Sequence, residues 1–296
     1  MSSHYLSMKK EYGMQHLNLS QLQGPIGVFD SGYGGLTILK EIRKILPEYD
    51  YLYLGDNARA PYGTRSFDVV YGFTLQAVEY LFSQGCHLVI LACNTASAKA
   101  LRTIQQNDLP TMDSARRVLG VIRPTVERMA EISRNGHIGV LGTPGTINSR
   151  SYELEVAKLN PEIEVHGQAC PLWVPLVENK EADSDGADYF VKKYIAALLE
   201  QDSQIDTAIL ACTHYPLLLP KIRRFMPANV EIVSQGSIVA ESLKDYLTRH
   251  PEMSAKCMKG GGCRYLTTEN VGKFEELASL FLGCDVKAEH VDLSKE

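Results

Sequence analysis

Ile90-Leu91-Ala92-Cys93 and Ile209-Leu210-Ala211-Cys212 are the same four residues, and each copy runs into small polar ones, Asn94-Thr95-Ala96-Ser97 and Thr213-His214-Tyr215-Pro216. With the residues before them, His87-Leu88-Val89 and Asp206-Thr207-Ala208, the two copies read as buried strands, because a short unbroken aliphatic run suits a parallel strand covered on both faces. Each cysteine then sits at a strand's carboxyl end, the edge at which open α/β sheets bind ligands. A single buried cysteine is ordinarily a small hydrophobe. Two in the same local setting point instead to a pair of thiols facing one cleft.

The repetition reaches further upstream. Pro25-Ile26-Gly27-Val28-Phe29-Asp30-Ser31-Gly32 precedes the first cysteine and His137-Ile138-Gly139-Val140-Leu141-Gly142-Thr143-Pro144 the second, both reading as strand, tight turn, helix. The spacing from Ile26 to Cys93 is 67 residues and from Ile138 to Cys212 it is 74. The implied fold class is α/β, with two similar parallel-sheet α/β domains related by a pseudo-twofold axis and an active site in the cleft between them. Strands are expected at 26–30, 51–55, 87–92, 138–142, 163–167, 206–211 and 230–234. Helices are expected at 35–46, 67–84, 96–107, 114–134, 146–159, 185–201, 216–226, 236–249 and 270–282. The segment after 232 is too short for a third unit and is expected to return to the first. The division is therefore an N-terminal extension over 1–24, a discontinuous first domain over 25–117 plus 232–296, and a second domain over 118–231.

Composition narrows the function. The chain has 296 residues, 45% of them hydrophobic, and a net charge of −5 with basic pairs such as Arg116-Arg117 and Lys192-Lys193 kept apart. Nucleic acid is not an expected partner, since phosphate neutralisation needs a concentrated basic surface. Neither a membrane-length apolar run nor a signal-peptide core is present, so no membrane association is expected and the protein reads as cytoplasmic. The seven cysteines, an odd number widely scattered, do not read as a disulfide framework. Cys257 and Cys263 flank Met258-Lys259-Gly260-Gly261-Gly262 without a second ligand pair, and Gly32-x-Gly34-Gly35 lacks the full dinucleotide fingerprint and the Walker lysine. No metal and no cofactor is expected.

The chemistry then falls to the cysteines. A thiolate at a helix amino terminus is favoured by the dipole and can act as a base. With Cys93 and Cys212 as one thiolate and one thiol, a proton can leave one face of a carbon and another arrive at the opposite face, which inverts a stereocentre. Ser31, Asn94, Thr95 and Thr213, with backbone N–H groups of the Asp30–Gly35 turn, are candidate donors to substrate carboxylates. Asp30 and His214 are the ionisable residues nearest the two corners, Asp30 beside Cys93 and His214 beside Cys212. Each can tune its cysteine or hold an ammonium group. The loop Gly55-Asp56-Asn57-Ala58-Arg59-Ala60-Pro61-Tyr62-Gly63-Thr64 follows a strand onto the same cleft edge.

Taken together, Phe29-Asp30-Ser31-Gly32-x-Gly34-Gly35-Leu36, Gly55-Asp56 with Pro61-Tyr62-Gly63, Ala92-Cys93-Asn94-Thr95-Ala96 and Cys212-Thr213-His214-Tyr215-Pro216-Leu217 resemble the glutamate racemases of the cofactor-independent aspartate/glutamate racemase superfamily. The resemblance runs in order from about 25 to 283. It implies two-base interconversion of L- and D-glutamate, Cys212 serving the L-isomer and Cys93 the D-isomer, with D-glutamate passing to peptidoglycan. It implies a substrate site lined by Asp30, Ser31, Tyr62, Gly63, Asn94, Thr95, Thr213 and His214, with Thr143 and Glu178 as further members. It also implies a homodimer and allows a cell-wall precursor as activator. The chain departs from the pattern in a longer segment at Thr111–Val118, in Arg123 where the family commonly has Glu, and in its leading 24 residues. Racemisation of aspartate and a binding protein that kept the fold and lost or supplemented the activity are the competing readings.

Overall fold

The aliphatic runs fold as strands, each followed by a helix that covers it. In the computed structural model, which describes residues 23–293, the first unit contains β1 (Ile26–Asp30), α1 (Gly35–Ile45), β2 (Tyr51–Gly55), α2 (Phe67–Ser83), β3 (Leu88–Leu91), α3 (Asn94–Lys99) and β4 (Arg117–Gly120). The second contains α4 (Ile122–Ile132), β5 (His137–Gly142), α5 (Pro144–Asn148), α6 (Ser151–Leu159), β6 (Glu164–Ala169), α7 (Trp173–Glu178), α8 (Asp185–Gln201), β7 (Thr207–Ala211), α9 (Leu219–Phe225) and β8 (Glu231–Ser234). The chain then returns through α10 (Gln235–Arg249), β9 (Cys263–Thr267), α11 (Val271–Leu282) and β10 (Ala288–His290).

Two parallel sheets result, one of six strands in the order β10-β9-β2-β1-β3-β4 and one of four in the order β6-β5-β7-β8. The run β2-β1-β3-β4 and the whole second sheet share one topology, in which the chain moves to one side of its first strand and then crosses to the other. That reversal leaves a crevice beyond the carboxyl ends of β1 and β3 and another beyond β5 and β7. Asp30 and Cys93 border the first and Thr143 and Cys212 the second. β1, β2, β3 and β7 are buried along their whole length, as their unbroken apolar sequences require.

Helix ends follow the local sequence. Ser66 Oγ caps α2 through Val69 N, Ser184 caps α8 through Ala187 N, and Gly283 closes α11 at φ 75°, a left-handed position that glycine adopts without strain. α1 buries Leu36, Ile38, Leu39 and Ile42 and lies along α10. One apolar core on this side is continuous between the units, joining Leu36, Leu39 and Val239 to Trp173, Leu210 and Tyr215. Trp173 is fully buried, with Tyr215 edge-on at 4.7 Å.

Three segments differ from the sequence expectations. The helix expected over 114–134 is strand β4 followed by α4, because Val118 and Leu119 pair in register with Val89 and Ile90. Pairing of β4 with β3 carries residues 118–120 into the first sheet, and pairing of Ile232–Ser234 with Ala208–Leu210 carries 232–234 into the second. Strands β9 and β10 were not foreseen, and β9 lies beside β2. Residues 1–22 of the N-terminal extension lie outside the described residues, while Gly24 bridges to Cys257.

The chain thus passes between sheets twice, after Gly120 and after Ser234, and the buried Gln235 ties the two passages together. Its Nε2 lies 2.8 Å from Thr125 Oγ1, 2.8 Å from the Tyr152 hydroxyl and 3.3 Å from Val121 O, while its Oε1 accepts from Asn94 Nδ2 at 2.6 Å. The Tyr152 hydroxyl donates to Asn94 Oδ1 at 2.7 Å and closes the ring. Gln235→Ala leaves Asn94 Nδ2 without its acceptor in the interior and removes the donor shared by Tyr152, Thr125 and Val121, so it should cost about 1–3 kcal/mol of stability. Urea unfolding followed by circular dichroism measures this. A loss below about 0.5 kcal/mol, the scale of an ordinary surface change, would mean the network contributes no net stability.

Candidate active site

Cys93 leaves β3 and serves as the N-cap of α3, its Sγ accepting from Ala96 N at 3.5 Å and lying 3.4 Å from Ser31 Oγ. Burial, reinforced by the negative charge of Asp30, pushes the Cys93 thiol up to about 12, against the hydrogen bonds from Ser31 and Ala96. The expectation that a helix end yields a thiolate here is therefore corrected. α3 is a six-residue helix, and desolvation of a nearly enclosed sulfur outweighs its dipole. Asp30 opposes the ionisation of Cys93 and does not assist it. The Asp30 carboxyl is itself fully buried and raised by that burial, with the charge of His214 and the backbone N–H groups of Gly35 and Gly32 pulling the other way.

Cys212 occupies the equivalent corner at the end of β7 but has different neighbours. The residues after it form a single 3₁₀ turn, Tyr215–Leu218, with Pro216 in its first turn, before α9 begins. No α-helix starts at this thiol, and its partner is a side chain: His214 Nδ1 stands 3.9 Å from Cys212 Sγ, and His214 Nε2 stands 2.9 Å from Glu178 Oε1. Burial works against the imidazolium, yet the hydrogen bonds and charges of Cys212 and Glu178 outweigh it and raise His214 to about 10. Cys212, His214 and Glu178 thus form a line in which a cation sits between two potential anions.

The two corners meet across the cleft. Thr213 Oγ1 donates to Asp30 Oδ1 at 3.4 Å, and Thr37 Oγ1 donates to the Thr213 carbonyl at 3.0 Å. A Cβ on Gly34 would lie 2.1 Å from Thr213 Oγ1 and 2.5 Å from His214 Nδ1, so this closeness requires glycine. On the other side Gly145 N donates to the Gly63 carbonyl at 2.7 Å, and Thr95, Thr143 and Thr146 join their hydroxyls, with Thr95 and Thr143 2.9 Å apart. Asp30 and Ser31 thus attend Cys93, Thr213, His214 and Glu178 stand on the side of Cys212, and Gly63, Thr95 and Thr143 come together on the other side of the cleft.

Two expected substrate residues are gathered there with their side chains already committed. Tyr62 is buried with its hydroxyl bonded to Asp56, which also takes Arg59 Nε at 2.6 Å and the Thr268 hydroxyl at 2.9 Å. Both ends of the Asn94 carboxamide belong to the Gln235–Tyr152 ring. The sequence reading missed Gln235, Tyr152 and Thr146, which carry no motif, and it named Glu178 as a substrate residue without seeing that it faces His214.

Paired thiols at equivalent sheet corners, both enclosed, one beside a buried carboxylate and one beside an imidazole, are suited to proton transfer on two sides of a carbon. The Asp/Glu/Hydantoin racemase model matches residues 34–243, and this chain belongs to that family. A glutamate racemase of Ruegeria sp. (strain TM1040) is 40% identical over 274 residues, covering 89% of this chain and 98% of its own. Among solved structures, a glutamate racemase isoform of Bacillus anthracis is 36% identical with a TM-score of 0.83, covering 91% of this chain and 98% of its own. The glutamate racemase of Francisella tularensis in complex with D-glutamate is 33% identical with a TM-score of 0.82, covering 93% and 99%.

His214 titrates in the folded protein near 10 against an ordinary 6.5. A group raised on folding contributes stability that is complete below its unfolded value and is lost as pH rises through its folded one. The stability difference between wild type and His214→Asn should therefore be largest below about 6.5 and decline as pH rises through about 10. Nitrogen-15 NMR of the histidine rings should show His214 still doubly protonated at about pH 8. A resonance that titrates near the free-imidazole value would refute the assignment.

Proposed function

We propose that the chain is a glutamate racemase in which Cys212 and Cys93 are the two bases, on opposite sides of Cα. The observation that carries this is the charge asymmetry of the corners. The His214 ring, raised by its partners, lies beside Cys212, where a positive charge favours a negative sulfur, while Cys93 has burial and Asp30 to raise its thiol. In this form the site is set for L-glutamate. Cys212 takes the Cα proton, Cys93 delivers its own to the opposite face, and D-glutamate leaves behind a Cys93 thiolate and a Cys212 thiol. The starting form returns when a proton passes through solvent from one sulfur to the other.

Asp30 is assigned the substrate ammonium, whose positive charge cancels the carboxylate that otherwise opposes a thiolate at Cys93. Ser31, Thr95, Thr143 and Thr213 supply hydroxyls to the carboxylates, and His214 backs Cys212. Tyr62, Gly63 and Asn94 contribute backbone groups, since the Tyr62 hydroxyl and the Asn94 amide are already bonded. Such preset donors stabilise the carbanion-like state without reorganising. The D-glutamate supplies peptidoglycan, which assigns the enzyme to the bacterial cytoplasm. No helix among the described residues is long and apolar enough to cross a membrane.

Cys93→Ala and Cys212→Ala should each reduce racemisation by about 10²–10⁴-fold, the usual weight of a positioned acid or base. Circular dichroism of L- and D-glutamate, with aspartate run in parallel, measures this and separates the two amino acids. Near-normal turnover in both directions by Cys212→Ala would end the two-base reading, and faster turnover of aspartate would replace the substrate.

The same reading includes a homodimer and an anionic cell-wall precursor as activator. A cavity of about 630 Å³ supports the latter. Its walls carry Lys99, Arg102, Arg123, Lys158 and Arg249 against Glu127 and Glu155, and they include Ser97 and Lys99 of the helix that Cys93 caps. A nucleotide-linked peptidoglycan precursor should raise kcat/KM of the wild type and leave Arg102→Ala/Arg249→Ala unchanged. An equal response from both proteins would move the activator elsewhere, and no response from either would remove it.

A further inference from the structure

We propose that His137, Glu164, His166 and Asp202 form a binding site for a divalent transition cation of the zinc class at the amino-terminal edge of the second sheet. The topology brings together residues that no sequence motif links. His137 opens β5, Glu164 opens β6 as its register partner, His166 lies two residues further along, and Asp202 caps the carboxyl end of α8. Two strands and a helix end thus aim two imidazoles and two carboxylates at one point, and the four ligand atoms lie within 4.8 Å of one another.

The separations suit a small cation. His166 Nε2 is 3.1 Å from Asp202 Oδ2, and Glu164 Oε2 is 3.9 Å from both His166 Nε2 and His137 Nδ1. Ligand atoms held about 2.0–2.2 Å from a tetrahedral zinc are roughly 3.3–3.6 Å apart. The 2.6 Å hydrogen bond between His137 Nδ1 and Asp202 Oδ2 has to open, and the wider separations, 3.9 Å and up to 4.8 Å, have to close by small side-chain movements. Two carboxylates balance a dication, and a helix carboxyl end favours positive charge.

A plain hydrogen-bonded cluster leaves one atom unexplained. His166 Nε2 is enclosed and makes no hydrogen bond, although it lies 3.1 Å from Asp202 Oδ2. A buried imidazole nitrogen without a partner is costly. A metal ion in the centre would accept that lone pair and satisfy it. The donor set of two nitrogens and two oxygens selects zinc or its neighbours over calcium and magnesium, which prefer oxygen alone.

The site is remote from the thiols. Thr143 lies six residues beyond His137 at the far end of β5, about 20 Å away at roughly 3.3 Å per residue. A bound ion therefore touches no substrate and acts by clamping the end of α8 to β5 and β6.

The test uses the full chain, stripped with chelator, dialysed and titrated with zinc and separately with cobalt(II). One equivalent should bind, with cobalt ligand-field bands but no thiolate charge-transfer band, and zinc should raise the thermal midpoint. His137→Ala and His166→Ala should each weaken zinc by at least about tenfold and abolish the thermal shift. His166→Asn, which keeps a polar side chain, should behave the same way, and undiminished racemase turnover in each variant shows the fold is intact. Failure of the wild type to bind one equivalent, a thiolate signature, or unaltered affinity in His166→Asn would overturn the site.

Discussion

The cleft depends on Gln235. Each sheet alone presents one cysteine, and chemistry on two faces of a carbon needs both sheets held in one relative placement. Among the described residues the chain crosses between them after Gly120 and after Ser234, and these two short passages share that placement with the bonds across the cleft. Gln235 bonds across both through Val121 and Thr125 on one and its own backbone position on the other, and it reaches Asn94, the residue after Cys93. A buried amide with every group satisfied specifies one arrangement, because any slip leaves polar atoms unpaired at about 1–3 kcal/mol each. The continuous apolar core under α1, α7 and α10 supplies the bulk of the attraction without that directionality.

Given that placement, duplicated sequence yields unlike chemistry. Both thiols are enclosed to nearly the same degree, yet one faces a buried carboxylate and the other an imidazolium held by Glu178. The difference comes from the residues after the cysteines. Asn94 starts a helix at once, whereas Thr213-His214 precede a tight 3₁₀ turn that directs the ring back to the sulfur. Gly34 allows this approach from the opposite wall.

Much of this was legible in the chain. The paired Ile-Leu-Ala-Cys runs located β3 and β7 and put both cysteines at sheet ends, because buried parallel strands have few other sequences open to them. The spacing of Asp30, Thr143 and His214 after their strands placed them on the same edge. Strand β4 was not legible, since Arg117-Val118-Leu119-Gly120 is too short to show a period and only its pairing with β3 makes it a strand. Gln235 and Tyr152 read as ordinary helix residues, and their importance comes from contacts with residues 141 and 58 positions away. The helix-dipole argument for Cys93 failed for a related reason: the dipole is a local property visible in sequence, while enclosure is a tertiary one.

The asymmetry of the corners bears on the whole catalytic cycle. In the proposed cycle, conversion of L-glutamate would leave the thiolate on Cys93, where burial and Asp30 oppose it once the product ammonium departs. Return of a proton to Cys93 would then relieve that cost. Under this proposal the two enantiomers meet differently charged corners, so the two directions would differ in kcat and in KM taken singly. The ratio of their kcat/KM values stays fixed by the equilibrium between enantiomers, which is one. In that proposal, weakening the Glu178–His214 contact removes support from the cation beside Cys212 and alters the directional difference, while leaving that equilibrium where the substrate sets it.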